Sequence, residues 1–414
     1  MKIMIKYVFV VMAVFLAYGC TQQEATQSFT QFLQQYDKAN ARFHSRLSPM
    51  DYQQYFQTIP SMDSLLIQQH FYQQMQQQFI KYDKNELPQA QLVLYDAIAF
   101  DLETNLRRIK LQSGFHTNWG LLGLPTDGIH SFPFAVDWYR FRIAELSGLR
   151  NIRLEDIFTS ANLQINDCKQ EQLSLLKEFH YDQLVDLNRE FDKQNFLLKD
   201  STDQWRYATL KNETVLSRMP SYFSGRKYPN FNLTTVFEKP LSYQQLDTYW
   251  LGQQVPGKQY YQLNAYKLPY PALAHEQQRG LLDGWAAFCE GMGPDLGLQH
   301  EPISRFYCLN ARIRRNAKLV VDLGVNYFQW KEEMIAHFWK NALPQDPDGW
   351  KEEVAKVTKK PAVNVIPALV EIHLMQMREE FMAKEDVPSY KRYNDHLLKL
   401  GPLPLAVIQA HILD

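Results

Sequence analysis

The stretch Leu273–Gly293, LAHEQQRGLLDGWAAFCEGMG, gathers the groups of this chain best suited to hydrolytic chemistry: His275, Glu276 and, further on, Asp283. A catalytic zinc held by histidine and carboxylate ligands keeps an open position, where bound water becomes acidic enough to attack a carbonyl. A glutamate beside a ligand histidine can take up the proton. His275 is therefore a candidate metal ligand and Glu276 a candidate base, with Asp283 a further carboxylate in the same stretch. On a zinc-binding helix a second histidine stands four residues after the first, so that both imidazoles meet one metal. That position here is Arg279, a permanent cation that repels zinc and cannot ligate it. If the stretch is one helix, Glu276, Asp283 and Glu290 fall on one side with Arg279 between the first two, which reads first as an exposed ladder of ion pairs near a helix start and only second as a metal site.

Other chemistries find less support. The sequence has no GxSxG elbow, no GxxxxGK[ST] loop and no GxGxxG after a strand pattern. His300-Glu301 is followed by Pro302, which disfavours a zinc helix there. His116, His130, His337, His373 and His396 are scattered without ligand spacing. Cys289 sits in AAFCEG as a small hydrophobe would. With Cys168 and Cys308 it leaves an odd number of thiols after Cys20, so at most one disulfide among them, and none has CxxC spacing.

The elements that must position these groups are mostly helices. Leu92, Tyr95, Ala99, Leu102, Leu106 and Ile109 recur at steps of three and four, as do Tyr72, Met75, Phe79 and Tyr82, which predicts two core-facing helices. Pro60-Ser61 and Pro88 mark their boundaries. Residues 115–138, rich in glycine, proline and aromatics, read as a loop, and helical periodicity returns over 170–198. The β-branched and aromatic run of 218–268, broken by proline and glycine, predicts two or three short strands. Helices resume from Leu281 to the end. The expected fold is mainly α: one large helical domain over 29–414 carrying a small β-sheet.

Residues 1–19 differ from the rest: Lys2 and Lys6 precede an apolar run from Tyr7 to Ala17, then Gly19 stands before Cys20. This is the pattern of a signal peptide, its apolar run short for a membrane span. It is similar to a bacterial lipoprotein signal, in which the cysteine, here Cys20, is acylated and holds the body on a membrane. Residues 20–28 are polar and glutamine-rich, a tether. Thr21, not an aspartate, follows Cys20, which favours the outer membrane of a bacterial cell envelope. The formal charge is -1 and the one dense basic run, Arg312, Arg314, Arg315 and Lys318, reads as an ion-paired or solvated helix face, so no nucleic-acid partner is expected.

Three blocks, DGWAAFCEGMGPDLGL, RNAKLVVDLGVN and YNDHLLKLGPLPLAVIQAHI, occur in an order in which the chain resembles the bacterial family called domain of unknown function 885. The resemblance implies a helical, zincin-like metallopeptidase fold, frequent export as a lipoprotein, and a zinc held by His-Glu-x-x-Pro-Gly-His and by the glutamate of a later Glu-Gly-Trp. Here Asp283-Gly284-Trp285 stands for Glu-Gly-Trp, and no Pro-Gly-His precedes it. Where the family has Val-Asp-Thr-Gly-x-His, the chain reads Val321-Asp322-Leu323-Gly324-Val325-Asn326. Where it has Arg-Tyr and then Pro-Gly-Gln-Ala-x-x-Tyr, the chain has Lys356-Val357 and PAVNVIP, with Pro361 kept and Pro367 at the tyrosine.

Two functions follow as expectations. In the first the protein is a pseudoenzyme, a metallopeptidase-like envelope lipoprotein that has lost zinc chemistry, needs no cofactor and serves as a binding or structural module for a peptide or protein. In the second it is an active metal-dependent peptidase or amide hydrolase, with zinc at an atypical site drawn from His275, Glu276 and Asp283. A surviving cleft would be lined by Trp119, Phe132, the strands near Tyr261 and the helix after Asp283.

Overall fold

A computed structural model describes residues 27–43, 51–118, 135–178, 201–225, 227–229, 243–270, 275–299, 302–384 and 386–413. Cys20, the signal and most of the tether, Trp119, Phe132, His130 and the His300-Glu301 pair lie outside them, as do the side chains of His275 and Glu276. The described residues are helical and connecting segments, with no strand among them. They fall into two compact units, one drawn from 1–48, 58–123 and 268–275, the other from 49–57, 124–267 and 276–414.

The smaller unit is built on α1 (27–40), α3 (Met62–Phe79) and α4 (Gln89–Asn118). Ser61 caps α3 by accepting a hydrogen bond from the Ser64 amide, and α4 starts directly after Pro88, so both boundaries fall where the sequence put them. Phe29, Phe32, Phe79, Tyr82 and Tyr95 interlock by their rings. Of the apolar stripe of α4, Leu102 and Ile109 are buried and Leu92, Tyr95, Ala99 and Leu106 half-buried. A second buried stripe of the same helix is polar: Asp101, Asn105, Arg108 and Gln112. Polar residues take the inner face because they satisfy one another: Tyr36 donates to Asp101, Asn40 Nδ2 lies 3.1 Å from the same carboxylate, and the Tyr72 hydroxyl donates to Asn40 Oδ1 at 2.5 Å.

The larger unit contains α2 (Tyr52–Gln57), α5 (Ala135–Ser147), α6 (Leu154–Glu178) and α7 (Ser201–Tyr222). Next come α8 (Tyr243–Tyr249), the π-turn Trp250–Gln254 and α9 (Lys258–Asn264). The rest are α10 (His275–Glu290), α11 (Pro302–Asn326), α12 (Glu332–Ala342), α13 (Trp350–Lys359), α14 (Val365–Lys384), α15 (Tyr390–Leu400) and α16 (Leu405–Ile412). At the centre lies α11, against α6, α13 and α14. Its Phe306, Leu309, Ile313, Val320 and Leu323, at helical spacing, are buried.

The expected small β-sheet is not found among the described residues. Of the run given to strands, residues 226 and 230–242 lie outside the described part, and the described rest is helical or connecting chain. Tyr260 and Tyr261, adjacent in the chain, are both buried, a pattern a half-exposed strand cannot produce. Aromatic residues suit strands because they fill a packed surface, and here helices provide that surface instead. The proline and glycine join helices: Val255–Pro256 is a cis peptide, and Gly257 precedes α9.

Candidate functional site

Helix α10 carries the residues singled out in the sequence, and its glycines fix its position. A Cβ on Gly284 would lie 2.1 Å from Val370 Cγ1 of α14, and one on Gly280 would lie 2.0 Å from the Leu146 carbonyl oxygen of α5. These residues, four apart, let α10 approach two helices more closely than any side chain would allow. Trp285 is fully buried, donates from Nε1 to the Pro256 carbonyl at 2.9 Å, and contacts Phe223, Tyr261 and Phe288. The Gly-Trp pair of the DGW block is therefore a packing device in this protein.

The polar residues of α10 turn to other helices. Asp283 is held by the Lys258 ammonium of α9, with both side chains about a third exposed (32% and 28%). Glu290 is paired with Arg315 of α11, which also donates to Glu371 of α14 at 2.7 Å. Arg312 reaches the same Glu371 at 3.2 Å. Burial pushes the Glu290 carboxyl up to about 7, against the pull of Arg315. The expected ladder along one exposed face is thus not formed by Asp283 and Glu290, and Arg279 points to solvent. Partners on packed neighbouring helices lie closer to these acids than the next turn of their own helix. The basic run of α11 is ion-paired as expected, with Arg314 on Asp346 and Lys318 on Glu353.

Zinc requires ligand atoms that are neutral or anionic and free to turn to the metal. Asp283 already carries an ammonium group, and the position four residues after His275 is an exposed guanidinium. The described residues of this stretch do not fit a zinc ion. Among the described residues, no three His, Cys, Asp or Glu side chains are gathered so as to hold a metal. Tyr261, expected on a cleft wall, is buried against Trp285, and its hydroxyl has no hydrogen-bond partner.

Asn326 belongs to a different construction. Asp322 is fully buried and accepts from the Tyr139 hydroxyl at 2.8 Å, Asn326 Nδ2 at 2.9 Å, the Ala362 amide at 3.1 Å and the Asn364 amide at 3.2 Å. Asn326 Nδ2 also reaches the Val357 carbonyl at 3.2 Å. Together they tie α11 to the turn between α13 and α14, where Ala362 stands at a left-handed φ of 73°. Burial outweighs the donors and pushes the Asp322 carboxyl up to about 7. Pro367 sits in the first turn of α14, where its missing amide hydrogen costs no helical bond. The three thiols Cys168, Cys289 and Cys308 are buried and free, so no disulfide joins them.

A cleft of the larger unit with several polar groups was missed in the sequence. It encloses about 270 Å³ between the α5–α6 connection, α14 and α16. Leu149, Ile157, Leu369 and Ile372 give it an apolar floor, and Arg150, Arg153, His373, Gln376 and Gln409 supply polar groups. The signal for it was GLRNIRLED, a turn with two arginines entering a helix, but the partners on α14 and α16 are more than 200 residues away in the chain.

The fold is one found in bacterial proteins of solved structure. The chain is similar to a proposed lipoprotein from Colwellia psychrerythraea, with TM-score 0.56 and 16% identity over 77% of this chain and 62% of that one. It is also similar to a proposed lipoprotein of unknown function from Shewanella oneidensis, with TM-score 0.53 and 11% identity over 86% of this chain and 74% of that one. The chain thus spans 62% of the length of the Colwellia protein. Residues 218–412 match the family described as "Bacterial protein of unknown function (DUF885)". No curated protein matches the chain.

Proposed function

We propose that this protein is an envelope lipoprotein, anchored by acyl chains on Cys20 and sorted to the outer membrane, whose metallopeptidase-like body has lost zinc catalysis and works as a binding or structural module. The observation that carries the proposal is the Lys258–Asp283 pair: a cation stands on the carboxylate that the family resemblance offers as a metal ligand. Arg279 and the engagement of Asn326 with Asp322 and Val357 support the same reading. The two similar structures from lipoproteins support the anchoring.

Two assays test it. Radiolabelled palmitate is expected to enter the full chain and not Cys20→Ser, and labelling of both would remove the proposed anchor. A peptide library incubated with the protein and added zinc is expected to remain intact. Zinc-dependent cleavage that is lost in Asp283→Ala would favour the active hydrolase with His275, Glu276 and Asp283 at its centre.

A further inference from the structure

Helix α3 of the smaller unit presents an uncharged outer face. Its inner face, Leu65, Gln68, Tyr72 and Phe79, is buried in the unit. A surface helix ordinarily sets charged residues opposite such a face. Here the chain from Ser64 to Ile80 contains no aspartate, glutamate, lysine or arginine, although 21% of the protein is charged. Leu66, Ile67 and Ile80 stand on the outer side with 55%, 64% and 70% of their surface exposed, and the exposed positions between them include Gln73, Gln74 and Gln77. His70 Nε2 is taken up by Gln74 Nε2, 2.8 Å away. A face that is partly apolar and carries no charge loses little when its water is removed.

The proposed anchor on Cys20 indicates what covers this face. Residues 21–26 separate Cys20 from the start of α1, and fully extended they reach about 25 Å. Helix α1 begins beside the end of α3: the Tyr82 hydroxyl donates to the Ser28 carbonyl at 3.3 Å, and the Phe29 and Tyr82 rings pack edge to face at 5.2 Å. Acyl chains on Cys20 therefore enter lipid within about one tether length of the end of α3. From Leu66 to Ile80 the helical rise amounts to about 21 Å, so the tether is long enough for the whole outer face to lie along the membrane. A lipid surface near one end of α3 is thus built into the covalent chain, whereas a second copy or another protein would have to be brought there. Glutamine side chains donate hydrogen bonds to phosphate and ester oxygens of lipid headgroups, while leucine and isoleucine enter the acyl boundary. The charges that follow Ile80 are of both signs, Lys81, Asp83, Lys84 and Glu86, so the contact does not depend on anionic lipid.

We propose that the outer face of α3 lies on the lipid surface that holds the anchor, with Leu66, Ile67 and Ile80 in the boundary between headgroups and acyl chains. The assignment rests on the acylation of Cys20 and is independent of whether zinc chemistry has been lost.

The test adds the full chain to preformed phosphatidylcholine vesicles, with a fluorophore on one introduced thiol: Ile67→Cys, Gln73→Cys or, on the exposed side of α4, Lys110→Cys. The native thiols Cys168, Cys289 and Cys308 are buried, and an acylated Cys20 does not react. All three labelled chains are expected to float with the vesicles. Labels at 67 and 73 are expected to be quenched by lipids brominated in their acyl chains and to be quenched by aqueous iodide about threefold or more weakly than the label at 110, with added salt making no difference. In Leu66→Glu/Ile80→Glu, flotation is expected to persist while the label at 73 becomes as open to iodide as that at 110, with unchanged thermal unfolding as the control for folding. Failure to float would overturn the acylation of Cys20 and the docking with it. Flotation with labels at 67 and 73 open to iodide would overturn the docking and leave the anchor standing. Shielding from iodide without quenching by brominated lipid would also overturn it, since a second copy or another protein would then cover the face, as would unchanged quenching in the doubly substituted chain.

Discussion

Replacing Asp322 with asparagine should change how stability depends on pH, and the size of the change follows from the site. The carboxylate is fully buried with four donors around it, and its pKa is pushed up from 3.8 to about 7. Because the folded-state pKa is raised, the folded protein holds this proton more tightly than the unfolded chain does. The stabilisation is fully present below the unfolded-state pKa and is lost as pH rises through the folded-state pKa near 7. A shift of about three units corresponds to roughly 4 kcal/mol. Asparagine does not titrate, so the variant should lack this dependence, and other acids should largely cancel in the difference. Urea unfolding of both proteins, from pH 4 to pH 8, gives that difference directly. The wild-type advantage should shrink by roughly 4 kcal/mol across the range and level off towards pH 8. An advantage that stays constant or grows with pH would mean that the four donors outweigh burial, and would refute the reasoning.

Three further outcomes are expected. Gly284→Ala forces a methyl into Val370 at 2.1 Å and should cost about 1–3 kcal/mol, read as a lower Tm; an unchanged Tm would mean that α10 and α14 separate freely. Lys258→Met should cost less than about 1 kcal/mol by urea unfolding, because the pair it breaks is partly exposed, and a larger loss would make that contact a principal support of the fold. Cys168, Cys289 and Cys308 should resist a thiol reagent in native protein and all react in denaturant without reductant, since burial pushes Cys168 up to about 11, Cys308 up to about 12 and Cys289 upward as well. Fewer reactive thiols in denaturant would reveal a disulfide.

Much of the helical frame was legible in the sequence because helix signals are local. Ser61 and Pro88 bound α3 and α4. Inner faces were harder to read. The apolar stripe of α4 is visible by its spacing, yet a second buried stripe is polar, Asp101, Asn105, Arg108 and Gln112, whose partners Tyr36, Asn40, Tyr72 and Gln68 lie on other helices. The aromatic stretch read as strands failed for a related reason: what aromatic side chains pack against is a tertiary fact. At the candidate site the sequence revealed Arg279 and the absent second histidine, but not Lys258, which comes from α9, 25 residues before Asp283. Nor did it reveal the cleft at His373, whose walls meet only after folding.

The central claim is that the body keeps its helical frame while Asp283 serves an ion pair instead of a metal. The most direct measurement is the metal content of the purified protein by elemental analysis, after dialysis against zinc and then against a weak chelator, with Asp283→Ala treated alongside. The account predicts that wild type and variant retain the same negligible zinc. About one zinc per chain in the wild type, lost in Asp283→Ala, would contradict it.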